Sequence, residues 1–187
     1  MTQQEVVACV IRACGEAGVS HMVVGSFASN FHGVPRMTQD ADIVVAGAAD
    51  AILALVALLA DDFYASEDAA REAIKYRKLF NAIHLETGFK VDLIVKKSRP
   101  FSDEELRRKI EGSLGGEPAA FATAEDTVLT KLEWAREGDS ERQFDDAVGI
   151  IQLQRDRLDW SYIDRWANEV GVRELVARAR DGKPFRD

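Results

Sequence analysis

VVGSFASNFHGVPRMTQDADIVV, residues 23 to 45, and FKVDLIV, residues 89 to 95, decide how this chain is read. His21 to Val24 is a short run rich in β-branched residues, stopped at once by Gly25-Ser26, which predicts a buried strand ending in a tight turn. A short helix over Phe27 to Phe31 follows, halted by Gly33 and Pro35, and Ala41 to Val45 reads as a second strand. Side chains two apart on a strand share a face, so Asp40 and Asp42 converge. Asp92 alternates with Val91 and Leu93, and from a neighbouring strand it joins that face.

Three carboxylates in one place repel one another and call for a counter-charge. Mg²⁺ supplies one, as a hard cation bound by a few carboxylates and by substrate phosphate oxygens. Two such ions clamp the attacking and leaving oxygens of an in-line phosphoryl displacement. Gly25 admits close backbone approach to a phosphate, and Ser26 can donate a hydrogen bond to it. Plainer readings stand beside these: strand-end carboxylates in water, a turn glycine, and Ser26 as the N-cap of the next helix. Capping and phosphate binding are compatible at a helix N-terminus.

Outward from this stretch, Val6, Val7, Val10, Ile11 and Cys14 follow the spacing of an amphipathic helix over residues 4 to 17. Asp50 to Leu59 predicts a helix with Asp50 as N-cap, and residues 69 to 78 another. Leu79 to Leu85 and Phe89 to Val95 read as two strands joined at Thr87-Gly88, a hairpin signal. Lys96 to Gly116 is polar with scattered Gly and Pro, and is taken as a connecting segment with a short helix at Asp103 to Arg108. After Pro118 the character turns helical: 123 to 136, 141 to 153, 162 to 170 and 173 to 180. The expected layout is an α/β domain over 1–117 and a helical domain over 118–187.

Composition bounds the function. A chain of 187 residues with 47% hydrophobic content needs no metal or disulfide staple to fold. With 24 basic and 32 acidic residues the net charge is −8, which argues against sequence-independent binding along duplex DNA. Cys9 and Cys14 lie on different faces of the first helix, so no disulfide is expected, and sparse cysteine fits a reducing cytoplasm. The apolar run Ala51 to Ala60 is too short to span a bilayer, and the N-terminus lacks the cationic start of a signal peptide. Trp134, Trp160 and Trp166 are read as helical core, His32 as a structural histidine, and Arg142 to Asp146 as an ion-paired helix face.

The pattern of Val24, Gly25 and Ser26, a spacer, then Asp40, Ala41, Asp42 and Ile43, with Asp92 as a third carboxylate, resembles the polymerase-beta-like nucleotidyltransferase superfamily. The spacer HGVPRMTQD is more specifically similar to small bacterial nucleotidyltransferase-like proteins, including relatives of abortive-infection toxins. The tail from AEDTVLTKLEWAREG resembles the helices that follow the catalytic core there. The resemblance implies an α/β (α+β) fold: a mixed sheet flanked by helices, followed by a C-terminal helical domain. It implies Mg²⁺-dependent transfer of a nucleoside monophosphate from an NTP donor to a hydroxyl on a protein, a tRNA or a small molecule. Asp40, Asp42 and Asp92 would hold Mg²⁺, with Asp92 also activating the acceptor hydroxyl; Gly25 and Ser26 would touch the triphosphate. Arg36 and Thr38 would face the nucleotide, and Lys131 resembles a family lysine that contacts phosphate. For Arg36 and Lys131 the alternatives are a surface arginine and a snorkelling helix lysine. The competing class is an inactive module that binds nucleotide or a partner protein, such as one half of a toxin–antitoxin pair. No Arg-x₄₋₆-His ribonuclease motif is evident in the tail, so RNA cleavage is not expected.

Overall fold

Thr2 opens the first helix with a capping box: its Oγ1 accepts from the Glu5 amide, and its own amide donates to Glu5 Oε2 at 2.7 Å. In a computed structural model describing residues 1–186, the chain runs α1 (Gln3–Glu16), β1 (Ser20–Val24), α2 (Gly25–His32), β2 (Asp40–Ala46), α3 (Ala49–Leu58), β3 (Phe63–Ala65) and α4 (Glu67–Tyr76). It continues through β4 (Leu79–His84), β5 (Lys90–Val95), α5 (Pro100–Arg108), β6 (Ile110–Leu114) and β7 (Glu117–Phe121). Four helices close it: α6 (Ala124–Gly138), α7 (Glu141–Gln154), α8 (Trp160–Glu169) and α9 (Arg173–Arg180). The fold class is mixed α/β, with one seven-stranded mixed sheet flanked by helices.

The chain forms two compact units. The first comprises Met1–Val24 and Thr38–Phe121, and holds the whole sheet in the order β3-β4-β5-β2-β1-β7-β6. Ala41, Ile43 and Val45 of β2 and Val91, Leu93 and Val95 of β5 are fully buried. In β2 they alternate with the half-buried Asp40, Asp42 and Val44, and in β5 with Lys90, the buried Asp92 and Ile94. That period of two, with apolar side chains on one face, is what makes a strand the stable conformation here. α1 packs beside β1, β6 and β7, and α4 beside β4 and β5.

The second unit comprises Gly25–Met37 and Ala122–Asp187 and is built from helices. α6 and α7 pack on each other and on α2, around Leu129, Leu132, Phe144 and Ile150. Gly33 permits the close approach at the end of α2: a Cβ there would meet Ile150 Cγ1 and the Ser29 carbonyl at 3.0 Å.

Several elements differ from the expectation. α3 is capped at Ala48 with no side-chain bond, and Asp50 lies in its first turn, where its charge suits the positive end of the helix. Lys96 to Gly116 is not mere connection. Pro100 starts α5 at a position where a missing amide costs nothing. Gly115 and Gly116, both at positive φ, turn β6 into β7 as a hairpin. β3 is a three-residue edge strand with too little sequence to carry a period. β7 completes the sheet at Phe121, and Gly25–Met37 clusters with the helical unit through the packing of α2 on α6 and α7. Cys9 and Cys14 are unbridged, and burial pushes the Cys14 thiol up to about 12. No described helix is long and apolar enough to cross a membrane.

Candidate active site

β2 and β5 are parallel neighbours with Asp40 opposite Lys90 and Asp42 opposite Asp92. Register partners in a ladder lie on the same side, so Asp40, Asp42, Lys90 and Asp92 occupy one face of the sheet. β4 adds Asn81, which is opposite Asp92 on the other side. The face is thus assembled from three strands that are adjacent in the sheet, β4, β5 and β2, although β2 is separated from the other two along the chain.

Its contacts are specific. Lys90 Nζ lies 2.8 Å from Asp92 Oδ2 and 3.6 Å from Asp40 Oδ2, bridging the two strands. Asn81 Nδ2 donates to Asp92 Oδ1. The Thr38 hydroxyl lies 3.2 Å from Asp40 Oδ1 and 3.0 Å from the Asp40 carbonyl, while Gln3 Nε2 donates to the Thr38 carbonyl. The hydrogen bond to Asp92 holds the Lys90 ammonium above the usual lysine value, aided by both carboxylates. Thr38 is buried, and its hydroxyl holds the Asp40 carboxylate.

The other expected residues belong to the helical unit. Gly25, at φ +60°, is the first residue of α2, directly after β1, so no cap residue intervenes and Ser26 sits inside the first turn. Val24, the residue before it, is the register partner of Asp42. Ser26 Oγ accepts from Arg36 Nη2 at 2.9 Å. The Arg36 guanidinium grips Asp146 with two hydrogen bonds of 2.6 Å, the bidentate geometry that a planar fork makes with a carboxylate. Asn30 fixes the Arg36 backbone from both sides, accepting from its amide and donating to its carbonyl.

Lys131 is 1% exposed and donates to Asp146 Oδ2 and Gln143 Oε1, both at 2.7 Å. Its ammonium therefore acts on Asp146, and through Asp146 on Arg36. Burial pushes the Asp146 carboxyl up, but hydrogen bonds from Arg36 and Lys131 outweigh it and hold it below the usual carboxylate range. His32 is buried, with Nε2 2.7 Å from the Ala122 carbonyl, and burial lowers its pKa.

Asp146, Lys90 and Asn81 were not singled out as functional by sequence. Asp146 lies 110 residues from Arg36, and nothing in either segment announces the pair. Lys90 did carry a signal, since it lies two residues before Asp92 and so shares its face.

Among the described residues, no three His, Cys, Asp or Glu side chains are gathered to hold a metal ion. The carboxylates of Asp40 and Asp92 are instead gathered about the Lys90 ammonium. Their chemistry fits a hard divalent ion all the same. Both oxygens already reach a single cation, and Mg²⁺ is commonly held by one or two carboxylates with substrate phosphates completing its shell.

No protein-family model and no curated protein matches the sequence. Solved structures do match in fold along nearly all of it. A nucleotidyltransferase-like protein from Paracoccidioides brasiliensis aligns with a TM-score of 0.58 at 15% identity, covering 98% of this chain and 95% of its own. The solution structure of the antibiotic-resistance factor ANT(2'')-Ia aligns at 0.56 and 14% identity, covering 96% and 93%. The crystal structure of ANT(2'')-Ia with adenylyl-2''-tobramycin aligns at 0.54 and 17% identity, covering 97% and 99%. The chain has the fold of these proteins, a nucleotidyltransferase-type mixed sheet flanked by helices.

Proposed function

We propose that this chain is a nucleotidyltransferase that moves a nucleoside monophosphate from an NTP to an acceptor hydroxyl. The observation that carries the reading is the register of β2 against β5, which puts Asp40, Asp42 and Asp92 on one face. Asp40, Asp42 and Asp92 would hold a divalent ion, Mg²⁺ by the hardness of the donors. When bound, that ion neutralises charge on the transferring phosphate. Asp92 accepts the proton of the acceptor hydroxyl as its oxygen bonds to the α-phosphorus and the bond to pyrophosphate breaks. Arg36 offers its guanidinium to the triphosphate, and Ser26 and the Gly25 backbone line the same turn. Thr38 orients Asp40, and Lys131 is a positioning residue for Arg36.

The acceptor is a hydroxyl of a protein, a tRNA or a small molecule. The fold likeness to ANT(2'')-Ia, solved with adenylyl-2''-tobramycin, supports the small molecule. The toxin-type role and an antitoxin partner draw only on the HGVPRMTQD spacer. A second reading, a nucleotide- or partner-binding module without turnover, is favoured by one observation: Lys90 already supplies a counter-charge to Asp40 and Asp92.

Calorimetric titration of ATP, GTP, CTP and UTP with Mg²⁺ tests the reading in wild type and in an Asp40→Ala, Asp42→Ala double variant. Metal-dependent binding that disappears in the variant is expected. Absence of binding by every nucleotide would overturn it. Binding without incorporation of labelled nucleotide into any acceptor would favour the second reading.

A further inference from the structure

Lys90 is placed where a metal ion would compete with it. It shares a face with Asp92, two residues along the same strand, and stands opposite Asp40 across the parallel ladder. Its ammonium is a compact point charge with three donors, and it reaches Oδ2 of both residues. A divalent ion bound to those oxygens would lie within a few ångströms of the ammonium in its present position, a strongly repulsive arrangement. The side chain is 39% exposed, so the ammonium has solvent to swing into.

We propose that Lys90 is a tethered counter-ion that holds the Asp40 and Asp92 carboxylates together and competes with the divalent ion for them. The inference rests on the metal-binding part of the function proposed above. Metal entry then requires Lys90 to leave Asp92, and metal affinity is weaker than the donor set alone would give. Asn81 keeps the Asp92 carboxylate oriented while the lysine departs, because its bond goes to the other oxygen.

The test is calorimetric titration with Mn²⁺ alone, on the full chain, in wild type, Lys90→Met, Lys90→Gln and Lys90→Arg, with Asp92→Asn in both the wild-type and Lys90→Met backgrounds. Lys90→Met and Lys90→Gln should each bind Mn²⁺ at least tenfold more tightly than wild type. Lys90→Arg, which keeps the charge, should stay within about threefold of wild type. Asp92→Asn should remove the tight binding. Unchanged or weaker Mn²⁺ binding in both neutral variants overturns the role of Lys90, and the metal reading survives if Asp92→Asn still abolishes binding. Tightening by Lys90→Arg as large as by Lys90→Met also overturns it, since charge would not be the cause. No Mn²⁺ binding in wild type or in the neutral variants overturns both. Circular dichroism on each variant separates loss of fold from loss of binding.

Discussion

The same chemical parts, a lysine and an aspartate in hydrogen-bonded contact, occur in two regions of this molecule and do different work. On the sheet face, Lys90 and Asp92 lie 2.8 Å apart with the lysine side chain 39% exposed and the aspartate 10%. In the helical unit, Lys131 and Asp146 lie 2.7 Å apart with both side chains sealed, at 1% and 8% exposed, so the two regions differ in the exposure of the lysine. Water can replace the Lys90 ammonium, so that contact exchanges easily and leaves its carboxylates open to another cation. Nothing replaces Lys131 cheaply: an unpaired charge in that setting carries the full desolvation cost. Burial, more than residue identity, separates an adjustable site from a strut.

Removing the buried carboxylate is the harshest way to break this contrast. Asp146→Ala leaves both Lys131 and Arg36 without their shared partner, and should destabilise the protein by about 3–5 kcal/mol in urea unfolding. A loss under about 1 kcal/mol would mean the cluster is no more structural than a surface pair.

Acid sharpens the same point. The folded pKa of Asp146 is depressed, so its stabilisation is complete above the unfolded value of about 4 and is lost as pH falls through the lower folded value. The stability gap between wild type and Asp146→Asn should therefore be constant near neutrality and narrow below about pH 4. A gap that stays the same down to pH 2.5 would contradict the ion pairing.

The smallest stability effect belongs to the open face. Asp40→Asn should change stability by less than about 1 kcal/mol, because its Lys90 contact is long and half exposed. Metal-dependent nucleotide binding should fall at least tenfold in the same variant. A large stability loss with normal binding would reverse the assignment of the two regions.

The sequence pattern was informative where chemistry is local. DADIVV and VDLIV carry their period of two openly, and β2 and β5 are where that pattern puts them. The hairpin at Thr87-Gly88 was legible because its turn residues are, with Gly88 at positive φ. β6 and β7 were hidden in a stretch rich in Gly and polar residues, since their stability comes from pairing with each other and from β7 lying beside β1. Of the candidate site, the carboxylates were readable as a type and a spacing. The partners that set their behaviour were less so.

What the sequence determined by itself is the alternation that puts Asp40 and Asp42 on one strand face, the glycine at the end of β1, and the helices read over 123 to 136, 141 to 153, 162 to 170 and 173 to 180. Those follow from steric and periodic rules acting over a few residues. Tertiary structure alone decided that Asp42 stands opposite Asp92, that Lys90 fills the space between two carboxylates, and that Asp146 binds Arg36 and Lys131 in a closed cluster. Each of these depends on which strand or helix lies beside which. That choice is made by burying apolar faces across the chain, and no local stretch encodes it.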